Sequence, residues 1–200
     1  MMKRFFDIIM SSFGILVLSP FFLLIGFIVL ISSKGPVIYR QSRVGRHNED
    51  FQILKFRTMY LNSDEKGLIT VGDRDPRVTN FGYYLRKFKL DELPQLFNVL
   101  FGDMSIVGPR PEVRKYVNHY TEEDLKILQV RPGITDYASV AFRNENEMLK
   151  GCINPDRKYI DEILPTKLAL NKKYIEEVGF ATDCKIILQT FFSIFKLNHQ

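Results

Sequence analysis

The sequence predicts a mixed α/β fold, mostly helical with a small β element, behind an N-terminal membrane helix. Three observations predict it: residues 13–31 (FGILVLSPFFLLIGFIVLI) carry no charge, two β-branched and aromatic segments flank a polar turn near residue 45, and apolar residues recur at helical spacing after residue 80. Two hundred residues suffice for an anchor, 1–35, and one ordinary domain, 36–200.

The charge-free run is about 19 residues long, only just enough to span a bilayer core at 1.5 Å per residue. Its middle holds Ser19-Pro20. Proline lacks the N–H that would bond the Leu16 carbonyl and its ring crowds that group, so a kinked or broken helix is expected there, with the Ser19 hydroxyl available to the freed carbonyl. Lys3 and Arg4 precede the run and Lys34, Arg40, Arg43 and Arg46 follow it. Positive charge on both flanks favours keeping both ends on the cytoplasmic side, which implies a re-entrant hairpin; a kinked single span is the main rival. A cleaved signal peptide fits poorly, since the run exceeds a usual h-region and no small-residue cleavage site follows.

Residues 37–41 (VIYRQ) and 51–59 (FQILKFRTM) read as a hairpin around a turn at 45–50. Residues 62–79 form a polar loop. Helices are expected at 81–88, with Phe81, Tyr84, Leu85 and Phe88 on one face, and at 91–100, where Pro94 fits only a first turn and so fixes the start near residues 90–92. FGDMSIVGPRPE (101–112) holds two glycines and two prolines and is expected to be a rigid loop. Helices follow at 111–120 and 122–130, then a Pro-Gly corner at Arg131-Pro132-Gly133, and a long helical stretch at 156–178 interrupted at Pro165. The last helix, 181–197, carries Cys184, Ile187, Leu188, Phe191, Ile194 and Phe195 on one stripe, suited equally to a membrane interface or to core packing.

The net charge of +5 is unevenly spread. Residues 1–60 hold eight Lys/Arg against three Asp/Glu, and the remainder is balanced. A basic flank beside an apolar run suits an anionic cytoplasmic leaflet, whereas nucleic-acid binding would place the excess on the soluble domain, so no nucleic-acid partner is expected. Cys152 and Cys184 form no C-x-x-C and suggest neither a disulfide framework nor a zinc site. His47, His119 and His199 show no catalytic spacing. The oligomeric state is open, with a homo-oligomer allowed.

KLDELPQ (89–95) sets two adjacent carboxylates, Asp91 and Glu92, in a basic chain. Pro94 places them at a helix cap or first turn, where free N–H groups favour ionised carboxylates. An Asp cap with an acidic neighbour is the ordinary meaning of such a pair. Its company differs: Lys55 and Arg57, Arg86 and Lys87, Arg110, and Arg131 form four basic clusters, two of them at Pro-Gly corners. Arginines in rigid loops suit bidentate phosphate contacts. A carboxylate facing them can hold Mg²⁺ together with substrate phosphates, or attack phosphorus itself.

KFRTM (55–59), the D-x-R-x-T-x-x-G-x-x-L-R run at 75–86, LDELPQLFNVLFGDMSIVGPRP (90–111) and RPGIT (131–135) together resemble the small monotopic phosphoglycosyl transferases, bacterial enzymes that prime glycan assembly on a polyprenyl carrier. The resemblance covers most of the chain, including the Ser-Pro pair of the anchor. It implies transfer of a sugar 1-phosphate from a UDP-sugar to polyprenyl (undecaprenyl) phosphate with release of UMP, at the cytoplasmic face of the bacterial inner membrane. Carried onto this sequence, Asp91 is the nucleophile and Mg²⁺ ligand and Glu92 completes the acidic dyad, its own role left open. Lys55, Arg57, Arg86, Arg110 and Arg131 are the expected phosphate and nucleotide contacts. The chain departs from the common pattern at DYASVAFRNENE (136–147), where many relatives continue with Gly and an Ala-Gln-Val run. A rival enzyme class rests on Asp73-Arg74-Asp75, a D-x-D of the kind metal-dependent glycosyltransferases use while releasing UDP; a turn before Pro76 explains it as well.

Overall fold

The computed structural model describes residues 2–195 except 64–66, 68, 71, 73 and 74. It is mostly helical, with two small two-stranded sheets. Helix α1 (Met2–Ser32) is long and apolar enough to cross a membrane. Helical backbone continues through Ser19 and Pro20, so the expected break does not end the helix. The reason is local: Ser19 Oγ donates to the Leu16 carbonyl at 2.8 Å, replacing the hydrogen bond that Pro20 cannot make.

One face of α1 packs on the rest of the chain along its length. At its start Asp7 Oδ1 accepts from Ser105 Oγ and Ile106 N, both at 3.0 Å, and Arg4 donates to the carbonyls of Val99 and Leu100. At its end Ile25 and Val29 are buried with Phe56 and Leu85. Each such side chain contributes about 1.5–3 kcal/mol on burial. The other faces are bare: Phe13, Leu16, Phe21, Leu23, Phe27 and Ile31 are exposed.

Strands β1 (Ile38–Val44) and β2 (Asp50–Phe56) form the expected hairpin, antiparallel with Ile38 opposite Phe56 and Val44 opposite Asp50. Helix α2 (Asn80–Lys87) is capped by Thr79, whose hydroxyl accepts from Gly82 N at 2.9 Å. Its apolar face is narrower than its spacing predicts, since Leu85 is buried but Tyr84 and Phe88 are exposed. A 3₁₀ turn, Leu90–Glu92, leads into α3 (Gln95–Phe101), with Pro94 directly before the helix. Residues 101–112 are not purely loop. They contain β3 (Ser105–Val107), which pairs in parallel with β4 (Gly133–Thr135). The two Pro-Gly corners meet back to back here, and a Cβ on Gly133 would lie 2.1 Å from Gly108 N. No other residue fits that approach.

Between the paired strands lie α4 (Arg114–Val117) and α5 (Glu122–Leu125), shorter than the periodicity predicts; the second continues as a 3₁₀ turn, Lys126–Gln129. After β4 come α6 (Tyr137–Ala141), α7 (Glu145–Met148) and α8 (Pro155–Lys158). A π-turn, Tyr159–Ile163, then joins α9 (Leu164–Glu176). The expected interruption at Pro165 falls one turn earlier: proline sits in the first turn of α9, and the wide turn before it absorbs the missing N–H.

Helix α10 (Phe180–Phe195) docks through Ile186, buried with Val107 and Tyr174, and through Asp183, which binds Tyr174 and Lys3 of α1. Leu188, Phe191 and Phe192 face outward. Of the expected stripe, Leu188 and Phe191 are thus exposed, Cys184 is half-buried and Ile187 packs against the Ile186 cluster, while the side chains of Ile194 and Phe195 lie outside the described residues.

Candidate active site

Lys89 begins the site. Its backbone is left-handed, φ 57°, which turns the chain sharply between α2 and the 3₁₀ turn. Asp91 and Glu92 then sit ahead of α3 with different surroundings. Neither is a capping acceptor. Asp91 is 8% exposed, accepts no hydrogen bond among the described residues, and has Oδ1 buried without a partner. Burial and the adjacent Glu92 raise its pKa above the ordinary carboxylate value, against Lys55, Arg86 and Lys89.

Glu92 is clamped. Lys55 Nζ from β2 reaches its Oε1 at 3.1 Å, and Arg110 grips both carboxylate oxygens, Nη1 to Oε2 at 3.1 Å and Nη2 to Oε1. Burial works against its charge, but Arg110 and Lys55 outweigh burial and hold its pKa well below normal. The charge of Glu92 is thus favoured by Arg110 and Lys55 rather than by a helix cap, while burial and Glu92 work against that of Asp91. Arg110 is raised in turn by Glu92, and Lys55 is lowered, first by burial.

Arg110 is held from behind. Its backbone N–H donates to Asp136 Oδ2 at 3.0 Å, and Asp136, fully buried, also accepts from Ser139 N and so caps α6. The segment that departs from the common pattern therefore begins by fixing a site arginine.

Of the five expected basic contacts, three gather around the acidic pair: Lys55, Arg110, and Arg86, which also donates to Thr70 Oγ1 at 2.8 Å. Two have other bonds. Arg57 donates to the carbonyls of Val29, Ser33 and Pro36, closing the end of α1. Arg131 Nε donates to the Gly102 carbonyl at the end of α3. Both bind carbonyls at helix ends, a use that the sequence pattern does not separate from phosphate binding.

Sequence reasoning missed Lys89, Asp136 and Arg43. Arg43, in β1, donates to the Pro111 carbonyl and lies close enough to Glu92 and Lys55 to act on both. The hairpin register would have found it, since β1 and β2 carry Arg43 and Lys55 toward one cluster. Asp73 lies outside the described residues. Asp75 is engaged by Arg77, with Nη2 to Oδ2 at 2.7 Å, as a clamp on its own turn.

Among the described residues no three His, Cys, Asp or Glu side chains gather as a metal cage. A Mg²⁺ ion nevertheless fits Asp91, because this ion usually takes one or two carboxylates and completes its shell with phosphate oxygens and water, and Asp91 Oδ1 has no partner to lose.

The bacterial sugar transferase family model matches residues 1–197. A UDP-N-acetylgalactosamine-undecaprenyl-phosphate N-acetylgalactosaminephosphotransferase of Aeromonas hydrophila is 45% identical over 69% of this chain and 33% of its own length. A UDP-glucose:undecaprenyl-phosphate glucose-1-phosphate transferase of Escherichia coli (strain K12) is 36% identical over 98% of this chain and 40% of its own. The exopolysaccharide production protein ExoY of Rhizobium meliloti (strain 1021) is 34% identical over 95% of this chain and 84% of its own. The chain thus spans well under half the length of the first two. With the family model covering nearly every residue, the acidic dyad and its cationic frame included, the chain belongs to the bacterial sugar transferase family.

Proposed function

We propose that the protein transfers a sugar 1-phosphate from a UDP-sugar to polyprenyl phosphate, releasing UMP, through a covalent phosphosugar on Asp91. The observation that carries this is the contrast within one turn. Asp91 is a carboxylate that accepts no hydrogen bond among the described residues, with Lys55, Arg86 and Lys89 near enough to favour its charge, while Glu92 beside it is fully engaged.

An oxygen of Asp91 forms a bond to the sugar-linked phosphorus of the donor. The bond from that phosphorus to the UMP oxygen breaks, and UMP leaves with the electron pair. A phosphate oxygen of the lipid then attacks the same phosphorus, and the Asp91–phosphorus bond breaks to restore the carboxylate. No proton has to move, which suits a site whose second carboxylate is too strongly ion-paired to act as an acid.

Glu92 instead holds Arg110 and Lys55 in place before substrate arrives, so the cations need not reorganise when the diphosphate enters. Mg²⁺, held by Asp91, would supply charge neutralisation of the diphosphate oxygens. This role for Glu92 gives the dyad a division of labour.

We place the protein on the cytoplasmic face of the inner membrane, and the docking of the continuous helix α1 supports an anchor that does not span. Lys3, Arg4 and Asp7 at one end and the carbonyls of Val29 and Ser33 at the other bind the same domain. A bilayer core of about 30 Å between the two ends would forbid that.

The test is to incubate the membrane-bound protein with UDP-glucose and UDP-N-acetylgalactosamine in turn, with polyprenyl phosphate and Mg²⁺, and to identify the nucleotide released. UMP supports phosphosugar transfer. UDP would instead support direct glycosyl transfer and sink this reading.

A further inference from the structure

Gln95 is fully buried, yet neither its Oε1 nor its Nε2 has a hydrogen-bond partner among the described residues. A buried amide left unpaired costs stability. Asn98, nearly one turn on, shows how this fold treats an amide that only supports structure: Oδ1 accepts from Leu54 N at 2.9 Å and Nδ2 donates to the Gln52 carbonyl at 2.8 Å.

Asp91, Gln95 and Asn98 are the buried polar positions of this segment, Asp91 in the 3₁₀ turn and the other two in α3, with Gln95 four residues after Asp91. Helical side chains lean toward the N-terminus, which carries the Gln95 amide over the turn that bears Asp91. There the buried Oδ1 of Asp91 also lacks a partner. An orphan donor and an orphan acceptor thus lie four residues apart in the same buried segment.

We infer that Gln95 is a positioning residue for phosphosugar transfer: its Nε2–H holds Oδ1 of Asp91 in the loaded site, so that the other carboxylate oxygen bonds to phosphorus. A carboxylate oxygen has two acceptor positions, so this bond leaves room for a cation on Oδ1. The inference rests on the reading of Asp91 as nucleophile.

Gln95→Met keeps the length of the side chain and removes its polar atoms, and Gln95→Glu keeps the shape while replacing the donor. Three quantities are measured on the full chain in a membrane mimetic, using whichever of UDP-glucose and UDP-N-acetylgalactosamine the wild type turns over: the rate of the UMP burst with its Asp91 adduct, the donor KM, and Tm. Gln95→Met is expected to keep or raise Tm, to leave KM within about threefold and to slow the burst roughly 100-fold, the usual cost of a misplaced reacting group. Gln95→Glu is expected to slow it as much.

A wild-type burst in Gln95→Met overturns the inference. So does a lowered Tm in Gln95→Met together with a normal burst in Gln95→Glu, since that pattern marks a purely structural residue. UMP release by the wild type without an Asp91 adduct overturns the nucleophile reading itself, and this inference with it.

Discussion

Asp91 and Glu92 are chemically near-identical neighbours pushed in opposite directions, and the partners that separate them come from elsewhere in the chain. Lys55 arrives from β2 and Arg110 from the loop before α4, so the pair itself is legible in KLDELPQ while the division between its members is not. The same limit explains Arg57 and Arg131, whose donors go to backbone carbonyls at the ends of α1 and α3. Asp91→Asn is predicted to abolish turnover, at least 10³-fold, while leaving Tm unchanged or higher, because it removes a buried carboxylate charge that accepts no hydrogen bond among the described residues. A variant that keeps wild-type activity would contradict the assignment. Glu92→Gln strands Lys55 and Arg110 instead. Breaking a fully buried pair costs about 3–5 kcal/mol, and the partial exposure of both cations reduces this toward about 2 kcal/mol. Chemical denaturation should show that loss together with slower turnover; undiminished stability would mean that Glu92 organises nothing.

Short elements decide how the site is aimed. Lys89 adopts a left-handed backbone at a cost of about 1–2 kcal/mol, so Lys89→Gly is predicted to match or exceed wild-type Tm and Lys89→Val to lower it. Gly133→Ala would drive a methyl group into Gly108 N and is expected to separate β3 from β4, seen as a large drop in Tm. The hairpin and helix α2 were legible because their patterns are local. The β3–β4 pair was not, because three-residue strands carry no readable alternation and pair in parallel across 28 residues of register. Glu112 joins this corner to α9: Lys167 Nζ donates to it at 2.7 Å and Tyr159 at 2.5 Å. Burial opposes its charge, yet Lys167 and Arg43 hold its pKa down to about 2. The stability this gives is complete above the ordinary value near 4.5 and is lost as pH falls from there toward about 2, by up to about 3 kcal/mol. Acid unfolding of Glu112→Gln should be correspondingly shallower over that range.

At the scale of the molecule, hydropathy identified α1 as long and apolar enough for a membrane but not how it meets the domain. The proposed seating on one leaflet rests on ionic and polar contacts at both ends of α1, bare apolar faces between them, and the outward Leu188, Phe191 and Phe192 of α10. Met2→Cys and Lys34→Cys, each in a chain lacking Cys152 and Cys184, are predicted to react with an impermeant maleimide from the same side of the membrane. Labelling from opposite sides would establish a spanning helix. The account as a whole turns on the bond between Asp91 and phosphorus. Mass spectrometry of the full chain, quenched after mixing with UDP-sugar in the absence of lipid acceptor, should find a sugar phosphate on the peptide bearing Asp91, discharged when polyprenyl phosphate is added. A sugar phosphate on another side chain, or UMP formed only when the lipid is present and with no adduct at any time, would contradict it.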